Sequence, residues 1–91
     1  MQIKKLYELA IKKWGRPAQL VKCAEECSEL IKICCKISLG GPIHFHNLAE
    51  ELADVKIMIE QIEQAFNVEG YVEDYRQQKL EHLKSILEND D

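Results

Sequence analysis

Five acidic residues stand in two short groups whose spacing could build a metal site. Glu25, Glu26 and Glu29 form the first group, and Glu51 and Asp54 form the second. Because successive helical residues are rotated by about 100°, side chains three positions apart share one face of a helix. Packing two such helices together would bring four carboxylates towards one another, those of Glu26, Glu29, Glu51 and Asp54. Converging carboxylates repel unless a cation compensates them, and oxygen ligands favour Mg²⁺, with Mn²⁺ as a substitute.

Each acidic group lies in a segment whose hydrophobic residues recur every three or four positions, which is typical of an amphipathic helix. We expect each acidic pair to border its stripe and each stripe to face the core. The first stripe is Leu20, Cys23, Cys27, Leu30, Cys34 and Ile37, and the second is Leu48, Leu52, Val55, Ile59, Ile62 and Phe66.

Turn-forming residues divide the chain into four predicted helices, at residues 2–14, 17–38, 47–66 and 71–88. Gly15 and Pro17 separate the first two, and the Gly-Gly-Pro segment at 40–42 ends the second. Asn47 and Glu50 have the spacing of a capping box at the start of the third helix. The fourth helix should turn seven hydrophobic residues inward: Tyr71, Val72, Tyr75, Leu80, Leu83, Ile86 and Leu87. We expect residues 89–91 to fray.

The predicted fold class is therefore all-α, a four-helix bundle-like single domain over residues 1–91. A core built from so short a chain is thin, so we expect homo-oligomerisation to complete it. The net charge of −4 argues against a nucleic-acid polymer as partner. No hydrophobic run approaches a signal peptide or a membrane span, and we expect a cytoplasmic protein with no membrane partner.

The four cysteines are best interpreted as buried thiols in a reducing compartment, with Cys35 off the stripe and more exposed. A zinc site that also used His44 and His46 would match no common zinc-binding spacing. A di-iron carboxylate bundle is disfavoured because no histidine stands three residues after a glutamate. The glycines at 40–41 lack the following lysine and hydroxyl residue of a phosphate-binding P-loop.

The chain also resembles a known family, the MazG-like all-α nucleoside triphosphate pyrophosphohydrolases, in its short single-domain form. The resemblance covers essentially the whole chain and rests on Trp14-Gly15, Gln19, Glu25-Glu26-x-x-Glu29, Glu51-x-x-Asp54 and the closing segment 75–80. It implies Mg²⁺-dependent hydrolysis of a nucleoside triphosphate between the α and β phosphates, which yields the monophosphate and pyrophosphate. It also implies a homodimer or a dimer of dimers.

The same resemblance implies roles for individual residues. Four carboxylates would hold the metal, those of Glu26, Glu29, Glu51 and Asp54. Glu25 would be the base for the attacking water, Lys79 would contact the phosphates, and Trp14 and Gln19 would lie near the nucleoside. Each residue also has an ordinary structural interpretation, since most glutamates and lysines are solvated and an aromatic residue at helical spacing usually packs. A non-catalytic helical bundle that dimerises or binds a partner helix remains the alternative.

Overall fold

The computed structural model describes residues 1–89, which form four α-helices joined by short turns. These are α1 (Ile3–Trp14), α2 (Arg16–Ser38), α3 (Phe45–Ala65) and α4 (Glu69–Glu88). No strand occurs in this part of the chain, which confirms the predicted all-α class. Of the residues expected to fray, Asn89 is the C-cap of α4, and Asp90 and Asp91 lie outside the described residues.

The turn between α1 and α2 forms where the sequence predicts it. Gly15 has a φ of 86° and donates its backbone N–H to the carbonyl of Ile11 at 2.7 Å. A positive φ of this size is strained for a residue with a Cβ atom, so glycine suits this position. Pro17 falls in the first turn of α2, where its missing N–H leaves no helical hydrogen bond unmade.

Two predicted helix starts are wrong. The helix α3 begins at Phe45, with His44 as its N-cap and no side-chain capping bond. Asn47 is already helical, so it lacks the extended backbone of an N-cap and cannot form the predicted capping box with Glu50. The helix α4 begins at Glu69, before the predicted position, because Asn67 makes the preceding turn with a φ of 55°.

The helices α2 and α3 form the centre of the fold, and α1 packs against both of them. The turn at residues 39–44 folds α3 back along α2 as a helical hairpin. Within residues 1–89, α4 packs against α3 and not along α1 or α2, so it does not join a closed bundle within one chain. The radius of gyration is accordingly 16.4 Å, whereas a compact chain of this length would have about 12 Å.

The core is small. Within residues 1–89 the buried hydrophobic side chains are Tyr7, Val55 and Met58, and the buried polar side chains are Gln19 and Gln61. No residue of α4 is buried, which corrects the prediction that its hydrophobic side points inward. All seven of those residues are exposed because no other helix covers them: Tyr71, Val72, Tyr75, Leu80, Leu83, Ile86 and Leu87.

The helix α3 is rotated relative to its predicted orientation. Leu52, Ile59 and Phe66, which belong to the predicted inward stripe, are exposed. The buried and half-buried residues of α3 are Leu48, Glu51, Asp54, Val55, Met58, Gln61, Ile62, Glu63, Gln64 and Ala65. Glu51 stands four residues before Val55, and Asp54 stands four residues before Met58, so each acidic residue shares a helix face with a buried residue. This rotation places Glu51 and Asp54 on the packed side of α3.

The cysteines are less buried than predicted. Cys23 and Cys27 are half-buried, Cys34 and Cys35 are exposed, and all four are free thiols. Ile33 and Ile37, on either side of Cys34 in the sequence, are half-buried, so the end of α2 packs through these residues and not through Cys34.

None of the helices within residues 1–89 has both the length and the hydrophobicity that a bilayer-spanning helix needs.

Candidate functional site

Three of the predicted metal ligands meet between α2 and α3. Glu26 of α2 and Glu51 and Asp54 of α3 each place one carboxylate oxygen within 4.8 Å of the other two. Glu51 and Asp54 are one helical turn apart, so the rotation of α3 directs both towards α2. The Glu26 side chain is only 14% exposed. The acidic group therefore lies at the edge of the core and is partly shielded from solvent.

The three carboxylates interact strongly with one another. Burial raises the pKa of Glu51 to about 7, and the neighbouring charges of Glu26 and Asp54 act in the same direction. Burial and Glu26 also raise the pKa of Asp54. The pKa of Glu26 is lowered, chiefly by its hydrogen bond with Glu51 and then by Lys22. Below about pH 7 Glu51 thus holds a proton, which can form a hydrogen bond to Glu26.

One oxygen of this group lacks a hydrogen-bond partner. Within residues 1–89, Oε1 of Glu51 is the buried side-chain oxygen or nitrogen that no other group satisfies. A buried unsatisfied oxygen is unfavourable, and a cation bound by oxygen ligands would satisfy it and offset the mutual repulsion. Three carboxylates would also leave ligand positions for water or phosphate on an ion such as Mg²⁺. The residues present therefore fit a divalent cation.

Two further predicted residues border this group without joining it. Glu29, one turn after Glu26, is exposed and pairs with Lys32 at 3.5 Å. Its charge contributes to the raised pKa of Glu51, so it lies on the same side of the site. Glu25 is also exposed, and it lines a cavity next to the acidic group.

That cavity lies between α1, α2 and α3. Its volume is about 440 Å³, which falls within the range of small-molecule sites. Its wall includes Trp14, Gln19, Lys22, Glu25, Met58 and Gln61. A smaller recess of about 200 Å³ is lined by Lys22, Glu26, Asp54, Ile57 and Met58. The cavity and the acidic recess adjoin, because Lys22 and Met58 belong to both walls.

Trp14 also borders a second cavity, on the α1 side. This cavity has a volume of about 370 Å³ and a mainly hydrophobic wall that includes Leu6, Tyr7 and Ile57. Nζ of Lys13 lies 5.3 Å from the centre of the Trp14 ring, within the range of a cation–π contact. The indole thus forms part of the boundary between the two cavities.

Two residues that the structure places at the site were not predicted from the sequence, Lys22 and Gln61. Lys22 precedes Glu26 by four residues, and its Nζ lies 3.3 Å from Oε1 of Glu26. That spacing was visible in the sequence, but it is also the spacing of ordinary surface ion pairs. Lys79, in contrast, is exposed on α4 and lines neither the cavity nor the acidic recess among the described residues.

Comparisons with protein-family models, with curated proteins and with solved structures found no match for this chain. The resemblance to the MazG-like enzymes therefore stays a prediction from the residues quoted above. The geometry of the acidic group and of the adjoining cavity carries the functional argument.

Proposed function

We propose that this protein is a Mg²⁺-dependent nucleoside triphosphate pyrophosphohydrolase of the MazG-like type. The observation that supports the proposal most is the convergence of Glu26, Glu51 and Asp54, with the unsatisfied Oε1 of Glu51 among them. An adjoining cavity of about 440 Å³ provides room for a nucleoside beside these carboxylates. The cavity and the acidic group are neighbours, an arrangement that suits the hydrolysis of a nucleotide.

In the proposed reaction, water cleaves the phosphoanhydride bond between the α and β phosphates. The products are the nucleoside monophosphate and pyrophosphate. When bound, Mg²⁺ or its substitute Mn²⁺ would lower the pKa of a coordinated water and neutralise charge on the phosphates. The ion would be held by Glu26, Glu51 and Asp54. Glu29 has an exposed side chain, which would have to adopt another rotamer to complete the predicted ligand set.

The remaining residues would orient the water and the nucleotide. Glu25 is placed at the cavity wall next to Glu26, where its carboxylate would position the attacking water and accept a proton from it. Trp14 and Gln19 line the same cavity and would contact the nucleoside. Lys79 does not line the site of its own chain. We therefore assign it a phosphate contact only in an oligomer, at the site of another copy of the chain.

We further propose that the chain assembles as a homodimer or a dimer of dimers. The single chain buries few hydrophobic residues, while α4 and the Leu52–Ile59–Phe66 side of α3 leave hydrophobic side chains exposed. Covering these faces with a second copy would remove them from water, which is the main favourable contribution to association. Sedimentation at micromolar concentrations should show a species larger than one chain, and a monomer would contradict this assembly.

The reaction is tested by product analysis on a panel of ribo- and deoxyribonucleoside triphosphates with Mg²⁺, Mn²⁺ or EDTA. We expect monophosphate and pyrophosphate with either metal and no products with EDTA. Release of orthophosphate instead would contradict cleavage between the α and β phosphates. The exposed hydrophobic faces also suit a non-catalytic interaction module, and a folded, metal-supplied sample without turnover would support that alternative.

A further inference from the structure

We infer that Lys22 binds the phosphate chain of the nucleotide, an inference that rests on the proposed function. Lys22 lies on α2 between the proposed nucleoside cavity and the acidic recess, and it lines both. Among the residues of the described chain that line these two spaces, it is the one with a cationic side chain. A nucleotide that occupied both spaces would lie within reach of this ammonium group.

The position of Lys22 follows from its spacing to Glu26. Residues four apart on a helix are neighbours, and Nζ of Lys22 lies 3.3 Å from Oε1 of Glu26. The lysine side chain is 54% exposed, so its flexible stem is free to reorient. In the absence of other cations, Lys22 partly compensates the charge of the acidic group, which is consistent with its contribution to the lowered pKa of Glu26.

Cation binding by the carboxylates would change the partner of this lysine. A divalent ion held by Glu26 competes with the ammonium group for the same carboxylate. Lys22 would then be displaced from Glu26 while remaining within reach of the cavity it lines. A triphosphate supplies several anionic oxygens at that place, and lysine binds phosphate as a flexible point charge. Lys22 thus exchanges a carboxylate partner for a phosphate partner when the site fills.

This assignment differs from the one that the sequence suggests. The resemblance gives the phosphate contact to Lys79, but among the described helices α4 packs against α3 alone and leaves Lys79 exposed. Lys22 needs no second chain to reach the site. The two lysines are therefore distinguishable by experiment, because only Lys22 acts within the chain that holds the carboxylates.

Three variants form a matched set for testing this role: Lys22→Gln, Lys22→Arg and the control Lys5→Gln. Lys5 is a suitable control because it is 56% exposed, pairs with a glutamate at 3.5 Å on α1 and lies away from the site. Inorganic pyrophosphate is the binding probe, since it carries phosphates without a base or a sugar. Calorimetry with Mg²⁺ gives its affinity for each variant, a separate titration gives the affinity for Mg²⁺, and kinetics give KM and kcat.

For Lys22→Gln we expect pyrophosphate binding to weaken and KM to rise, each by about tenfold, because one charge-assisted contact is lost. Lys22→Arg should retain most of the affinity, and Lys5→Gln should behave as the wild type. The affinity for Mg²⁺ should be unchanged or higher in Lys22→Gln, since a competing cation is removed. Damage to the fold would instead weaken the binding of both ligands.

Two results would overturn the inference, and they are distinguishable. If the wild type hydrolyses nucleotides and Lys22→Gln matches Lys5→Gln in pyrophosphate affinity and KM, Lys22 has no phosphate role and the proposed function stands. If the wild type neither binds pyrophosphate with Mg²⁺ nor hydrolyses any nucleotide, the proposed function fails and the role of Lys22 fails with it.

Discussion

Gln19 donates a hydrogen bond from its Nε2 to Oε1 of Gln61 at 2.8 Å, which joins α2 to α3. Both residues are buried, with 6% and 8% of their surfaces exposed, and both line the cavity beside the acidic group. Nε2 of Gln61 in turn lies 3.8 Å from Sδ of Met58. The two amides therefore depend on each other for hydrogen bonding, because a thioether is a weak acceptor.

This mutual dependence predicts non-additive effects on stability. Gln61→Leu should lower the free energy of unfolding by about 1–3 kcal/mol, because it leaves the buried amide of Gln19 without its acceptor. Adding Gln19→Leu should cost little more, since no polar group then remains unsatisfied. A double-mutant cycle by urea denaturation measures the coupling. Additive losses for the two single variants would show that the pair is not coupled.

A substitution of Glu51 that prevents its ionisation should have opposite effects on stability and on activity. Glu51→Gln keeps the side-chain shape but cannot ionise, so the metal-free protein should become more stable above about pH 7, where the wild-type carboxyl group is charged. The same change should reduce Mg²⁺ binding and nucleotide hydrolysis by about 100-fold or more, because a proposed ligand loses its charge.

Glu50→Gln is the control for this change, because Glu50 is exposed on the same helix and lies outside the three-carboxylate group. Thermal melts in EDTA, metal titration and product analysis provide the three measurements. Equal losses of activity in the two variants would argue against a specific role for Glu51.

The raised pKa of Glu51 predicts how the stability of the metal-free protein depends on pH. In the unfolded chain this carboxyl group loses its proton near pH 4.5, whereas in the folded chain it does so near pH 7. Between these values the folded state binds more protons, so the free energy of unfolding should fall as the pH rises. The raised pKa of Asp54 acts in the same direction, and the lowered pKa of Glu26 opposes it only below about pH 4.5.

Thermal melts in EDTA between pH 5 and pH 8 measure this dependence. Glu51→Gln should flatten the decline, and Mg²⁺ should stabilise the wild type most above pH 7, where the carboxylates are ionised. A wild-type melting temperature that rises across this range would contradict the assigned proton on Glu51.

The exposed hydrophobic residues of α4 predict an assembly that one substitution can disrupt. Leu83 is exposed in the single chain, so Leu83→Lys should reduce the sedimenting mass without loss of helix content. Glu81→Lys places the same lysine on α4 at a position that is already charged and should leave the assembly intact. Sedimentation and circular dichroism test both variants. If Leu83→Lys sediments as the wild type does, α4 is not the interface.

The sequence was sufficient for the number, order and approximate bounds of the helices, because these depend on local periodicity and turn residues. It also indicated that Glu26, Glu51 and Asp54 would meet, but it added Glu29, whose distance from the others depends on how α2 faces α3. The orientation of α3 was not predictable in the same way, since hydrophobic residues occupy two sides of this helix. The predicted stripe groups Val55 with Leu52 and Ile59. In the structure Val55 is buried with Met58 instead, while Leu52 and Ile59 are exposed, and packing between helices makes this selection. The choice between Lys22 and Lys79 likewise depends on tertiary contacts, which spacing along the chain does not specify.

The position of Trp14 has a spectroscopic consequence. It is the one tryptophan in the sequence, and it borders both the cavity of about 440 Å³ and that of about 370 Å³. Its fluorescence therefore reports on the surroundings of a single indole at the proposed nucleoside cavity. A ligand that displaces water from either side of the ring would change the emission without any attached dye, so the unmodified protein can serve as its own binding sensor.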